Sequence, residues 1–150
     1  MKLILTWLLM IGSIVAFGQP PSDSLSKDER FSKYLAQNVR FPQEAMRQGI
    51  LAKVYGGFRI DEQGNVQDVV ILNPEKIGYG FEEVVTRVLR KMPVQRPVYA
   101  GTYAAVFDFG FSSGPNNSNT KLIAGKLPSE FLGQREIVSE VVIIGVEGFR

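Results

Sequence analysis

The sequence predicts an α+β domain of three strands with two or three helices, and three stretches predict it. Ala52–Leu72 holds two β-favouring runs on either side of Asp61-Glu62-Gln63-Gly64-Asn65, the sequence form of an antiparallel hairpin with a short loop. Phe81–Met92 sets Phe81, Val84, Val85, Val88, Leu89 and Met92 on one helical stripe. Thr102–Phe111 alternates sharply, with Tyr103, Ala105, Phe107, Phe109 and Phe111 on one face and Ala104, Val106, Asp108 and Gly110 on the other. This third strand is expected to return to the hairpin.

Composition sets the outer bounds. A chain of 150 residues suits one domain with tails. Apolar residues at 45% against charged residues at 21% allow a genuine core and argue against global disorder. The formal net charge is only +2 and the basic residues are scattered, so nothing points to nucleic acid. The chain has no cysteine and no histidine. That removes disulfides, thiolate ligands, a cysteine nucleophile, the commonest general base and every Ser-His-Asp arrangement.

Taken in order, Met1–Gly18 reads as a secretory signal peptide, with Lys2 as its n-region, an apolar run over Leu3–Phe17 and small residues at Ala16 and Gly18. Its apolar helix would rise about 22 Å, short of a hydrocarbon core of about 30 Å, so cleavage before Gln19 is expected over anchoring. Export to the periplasm follows, with inner-membrane contact only if the segment is retained. A linker occupies residues 19–26. Ser26-Lys27-Asp28-Glu29 matches a capping box and predicts a helix over Lys27–Asn38, with Phe31, Tyr34, Leu35 and Val39 facing the core. Phe41-Pro42 breaks it. Pro42 then suits the start of a short helix, Pro42–Gln48, with Gly49 as its C-cap. In the hairpin, Val54, Gly56, Phe58 and Ile60 share one face of the first strand. Val66, Val70 and Leu72 share one face of the second. Pro93 stops the long helix. Ser112–Thr120 is a polar boundary that ends the domain, placed at residues 27–113. Residues 114–150 hold a linker and a β-branched run, Glu136–Val146, without an obvious partner.

No constellation favours catalysis. Glu82 and Glu83 are adjacent on a helix, point about 100° apart and read as a solvated first turn. Asp61-Glu62 reads as turn chemistry rather than a calcium loop. Gly78-Tyr79-Gly80 lacks the third glycine and the Lys-Ser/Thr of a phosphate loop. Asn116-Asn117-Ser118 fits a glycosylation sequon weakly. No cofactor and no metal are expected, and the protein is not expected to be an enzyme. An exported three-stranded sheet with open edges remains, and open edges are either covered or used to capture another chain.

Four ordered pieces resemble the TonB C-terminal domain family, in its Bacteroidetes-type form: Phe41-Pro42-x-Glu44-Ala45-x-x-x-Gly49; Phe58 and Ile60-Asp61-x-x-Gly64-x-Val66 with Asp68-Val69; the helix Phe81–Met92 running into Pro93 and Pro97; and Gly101 followed by a strand ending Phe107-Asp108-Phe109. The resemblance implies a three-stranded antiparallel sheet with helices packed on one face, in the order αα-ββ-α-β; the β-branched run Glu136–Val146 is a candidate extra C-terminal strand beside it. It also implies binding of the "box" peptide of outer-membrane TonB-dependent receptors as an added strand beside the last strand. Carried onto this chain, the binding edge would be Thr102, Tyr103, Ala104, Val106, Asp108 and Gly110. Full transducers of the family carry a histidine-bearing membrane helix and a long proline-rich spacer. This chain has no histidine, and Gln19–Phe31 reaches at most about 45 Å. A peptide-binding module is therefore expected rather than an autonomous transducer. Ser139–Gly145 resembles the Glu-Val-Val-Val-x-Gly stretch near the box of such transporters, so Glu140, Val141, Val142, Ile143 and Ile144 form a candidate self-strand, for this chain's edge or that of a neighbouring copy. The alternative reading is an adaptor that homo-oligomerises, its groove filled by its own or a neighbour's C-terminal strand.

Overall fold

The structure is a computed structural model that describes residues 24–111, 121–122 and 129–145. The expected signal peptide, most of the first linker, the Ser112–Thr120 boundary with its sequon and the last five residues lie outside the described residues. Among the described residues, no helix is long and apolar enough to cross a membrane.

The described chain starts with a 3-10 turn, Leu25–Lys27, and runs through α1 (Glu29–Asn38), α2 (Gln43–Gln48), β1 (Ile50–Ile60), β2 (Val66–Ile71), α3 (Phe81–Arg90), a second 3-10 turn (Pro97–Tyr99), β3 (Gly101–Phe111), β4 (Lys121–Leu122), α4 (Ser129–Leu132) and β5 (Glu136–Gly145). The three antiparallel strands expected from the sequence are present as β2-β1-β3. β5 adds to β3 in parallel and makes the sheet mixed, in the order β2-β1-β3-β5, while β4 touches only the start of β1.

α1, α2 and α3 cover one face. Phe81, Val84, Val85, Val88 and Leu89 of α3 are buried against Val54, Phe58 and Ile60 of β1 and Phe107 and Phe109 of β3. A Cβ at Gly56 would meet Leu89 Cδ1 at 2.6 Å and Val85 Cγ1 at 2.9 Å, so α3 rests directly on the β1 backbone there. Phe41, just before α2, stands edge-on to Phe81 and Phe109, at 6.0 and 5.7 Å between ring centroids. On the other side of this layer Phe58 packs against Phe31 of α1 and Tyr103 of β3.

Several local details depart from the pattern reading. The capping residue of α1 is Asp28, not Ser26, and the helix starts at Glu29: Asp28 Oδ1 accepts the N–H groups of Arg30 and Phe31 at 2.8 and 3.2 Å. Ser26 is taken up by the preceding 3-10 turn, whose own cap is Ser24. Glu82 is not merely solvated. Its carboxylate accepts the N–H groups of Ile77 and Gly78, so the entry to the Gly78-Tyr79-Gly80 loop closes on the chain's own anion. Asp61 is turn chemistry, accepting from the backbone of Gln63 and Asn65.

The face assignment of β2 is corrected by a bulge. The β1–β2 register shifts between Gly57 and Arg59, opposite Asp68, whose φ is +52°. An extra residue turns every later side chain to the other face. Val66, Val69 and Ile71 therefore pack on the helix-covered core, while Leu72 joins Tyr55, Ala104 and Val106 in a second cluster on the opposite face. Beyond the end of β2, the Asn73 side chain continues the ladder: its Oδ1 accepts Tyr55 N–H at 2.8 Å and its Nδ2 donates to Lys53 O at 3.0 Å.

Two outcomes test these local devices. Asn73→Ala leaves a buried Tyr55 N–H and the Lys53 carbonyl unpaired, and should cost about 1–3 kcal/mol in urea unfolding; an unchanged midpoint would contradict the ladder role. For Asp28, burial alone would raise the pKa, but hydrogen bonds from Tyr99, Phe31 and Arg30 together hold it below the ordinary aspartate value. A depressed folded-state pKa means that this contribution is complete above the ordinary range near pH 4 and is lost as the pH falls through the lowered value. Asp28→Ala should cost about 1 kcal/mol at neutral pH, and the gap to the parent should narrow in thermal melts taken at progressively lower pH.

Candidate functional site: the outer edge of β3

β3 has two sides with different histories. One pairs antiparallel with β1 from Gly101 to Phe109, opposite Ile60 to Ala52. The other would present a row of unpaired N–H and C=O groups, and β5 lies along it from Tyr103 to Phe111. The pairing has one irregularity, between Ala104 and Ala105, where the register skips Val138. Beyond it Val106 faces Glu140, Phe107 faces Val141, Asp108 faces Val142, Phe109 faces Ile143 and Gly110 faces Ile144. The strand forms here because Glu136–Gly145 is mostly β-branched and because two of its side chains find the core: Val138 is 4% exposed and Ile143 9%. Burial of such side chains contributes about 1.5–3 kcal/mol each.

The residues expected to form a binding edge divide by face. Thr102 is exposed. Tyr103 lies on the helix-covered side, its ring tilted against that of Phe58, and its hydroxyl donates to Tyr99 O at 2.8 Å. Burial, then the charge of Glu136, holds the Tyr103 phenol above its usual pKa. Ala104 and Val106 lie on the opposite face, covered by Tyr55, Leu72 and Leu132 of α4. Asp108 is half-buried on that face, and nothing lies within 4 Å of where a Cβ at Gly110 would stand. Glu140, Val142 and Ile144 are exposed, while Val141 is half-buried against the main core.

Pattern reading missed two cations. Lys53 Nζ lies 3.0 Å from Asp108 Oδ2 and 3.0 Å from Glu140 Oε1, so one ammonium spans β1, β3 and β5. The hydrogen bond to Asp108, followed by that to Glu140, pushes its pKa well above the ordinary lysine value. The alternation of β1 puts Lys53 on the open face, but only the cross-strand register brings it beside Asp108. Arg135, immediately before β5, runs across Gly57, where a Cβ would lie 2.9 Å from its Nε. That Nε is buried and makes no hydrogen bond among the described residues, and Nη1 donates to Leu132 O at 3.4 Å.

The docking of β5 therefore rests on a ladder, two buried side chains and one shared ammonium. Val138→Asp places an unpaired carboxylate in the core and should detach β5 while β1–β3 persists. Trypsin should then cut after Arg135 several-fold faster than in the parent, with slow-exchanging amides retained in β1 and β3. Equal cleavage rates would show that Val138 does not hold the strand.

The family described as Gram-negative bacterial TonB protein C-terminal matches residues 37–110. No curated protein and no solved structure matches the chain. The matched span begins inside α1 and ends inside β3, so it contains the β2-β1-β3 sheet and leaves β5 outside. Domains of this family serve energy transduction and protein interaction, work in the periplasm of Gram-negative bacteria and interact with outer-membrane TonB-dependent receptors. The order αα-ββ-α-β, the aromatic β3 and the match agree: residues 37–110 of this chain belong to the TonB C-terminal domain family.

Proposed function

We propose that this protein is an exported, periplasmic TonB-like module in TonB-linked transport, and that it binds a peptide strand of an outer-membrane TonB-dependent receptor by β-augmentation at the outer edge of β3. The family supports the transport role. One observation carries the finer reading: nine residues of β3, Tyr103–Phe111, accept a strand that comes from outside the family span, after about 25 intervening residues. An edge that takes an added strand of its own chain has the backbone geometry to take one from a partner. Thr102, Tyr103, Ala104, Val106, Asp108 and Gly110 form that edge. Binding there is made mainly by backbone groups, and Glu140, Val141, Val142, Ile143 and Ile144 are the self-strand that leaves.

A second reading draws on the same pairing. In it the protein is an adaptor whose β3 edge is filled permanently, by its own β5 or by that of a neighbouring copy. The readings differ in whether β5 leaves when a receptor strand arrives. Titrating the isotope-labelled full chain with the periplasm-facing box peptide of a TonB-dependent receptor separates them. Capture predicts amide shifts along Tyr103–Gly110 together with release of Glu140–Ile144. No shift at millimolar peptide, or shifts confined to β2, would sink the capture reading.

A further inference from the structure

We infer that the β3 edge reads its partner through Lys53: it takes a strand running parallel to β3, with a carboxylate where Glu140 sits and branched apolar side chains where Val141 and Ile143 sit, and β5 is the resident strand that such a partner displaces. This rests on strand capture at the β3 edge.

The resident strand defines the slots. Val141 and Ile143 face Phe107 and Phe109 and turn toward the helix-covered core, where Ile143 is 9% exposed. The alternate positions, Val142 and Ile144, are 62% and 49% exposed and set no requirement on a partner's side chains. Selection among apolar strands needs something more, and the ion pair that joins β5 to the sheet is Lys53–Glu140. Asp108 belongs to β3 and remains when β5 departs. It therefore keeps the Lys53 ammonium at the edge, in place for the next carboxylate.

The same geometry makes β5 replaceable. Its contact to Lys53 is half in solvent, since the Lys53 and Glu140 side chains are 29% and 56% exposed, and such pairs hold weakly. No disulfide fixes the strand, because the chain has no cysteine. What β5 has over a free peptide is its tether, which acts as a concentration on the order of millimolar. A peptide of intrinsic Kd near 10 μM would face a competitor that weakens it about a hundredfold. Loosening β5 restores the affinity and locking it removes binding.

Both arms are measurable with the full chain and a synthetic peptide copying Ser139–Gly145. The absence of cysteine allows a lock by Gly110→Cys with Ile144→Cys, a register pair in which a side chain at Gly110 meets nothing within 4 Å. Calorimetry should find the peptide bound at least tenfold tighter by Val138→Asp than by the parent. It should find binding by the reduced Cys pair, and none after oxidation. In the Val138→Asp chain, the same peptide with Glu140→Gln should bind about fivefold weaker, and adding Lys53→Met should erase that difference. Equal binding by the oxidised and reduced pair overturns displacement of β5. Unchanged discrimination in Lys53→Met overturns Lys53 as the reader, while leaving strand capture itself standing. Absence of binding by every chain, including the reduced pair whose core is untouched, overturns the capture reading along with this one.

Discussion

The outer backbone of β3 must have a partner, and much of the molecule follows from that requirement. β3 is fixed on its inner side by nine register pairs with β1. β1 is in turn pressed on by α3, whose Leu89 and Val85 side chains close onto its backbone at Gly56. The aromatic side chains of β3 anchor it from the helix side, with Phe109 4.9 Å from Phe81 and 5.7 Å from Phe41 between centroids. A strand held in this way presents its remaining donors and acceptors as a template for a further strand. Its own distant segment satisfies it, and in doing so brings Val138 and Ile143 into the common core.

Much of this was legible in the sequence because the dominant signals are periodic. The α3 stripe, the β3 alternation and the Asp61–Asn65 loop each announce themselves within a dozen residues, and the ordered set leads to the family. What escaped was phase and register. A single extra residue near Asp68 moves Val69 and Ile71 to the core and Leu72 away from it, and no composition rule marks which residue bulges. Asp28 and Ser26 are both good caps, and the choice falls to Asp28 because Tyr99, from 71 positions away, donates to its second oxygen at 2.9 Å. Lys53 is an ordinary open-face lysine until β3 sets Asp108 beside it and β5 sets Glu140 beside both.

The position of β5 also gives the C-terminal segment a character that hydropathy alone leaves open. Read linearly, Glu136–Val146 is a sticky run after a polar boundary. In the fold it divides cleanly: Val138 and Ile143 are inside, Val142 and Ile144 are outside, and Glu140 reaches a lysine. Leu132 and Arg135, which precede it, cover the second face of the sheet over Tyr55, Ala104 and Val106. The segment after the family span thus completes an edge and part of a face at once.

The Asn73 amide has a consequence for the polarity of the sheet. By occupying Tyr55 N–H and Lys53 O it ends the ladder on the β2 side with a side chain, where no further strand can engage those groups. β2 itself carries the bulge at Asp68, and the Arg59–Asp68 pair stands over it at 2.7 Å. Kinked strands with charged flanks make poor templates. The β3 side has neither obstacle between Ala105 and Phe111, and there β5 pairs without a break, so the two flanks of the β1–β3 pair differ: a side-chain amide and a bulge mark one, and a continuous added ladder marks the other.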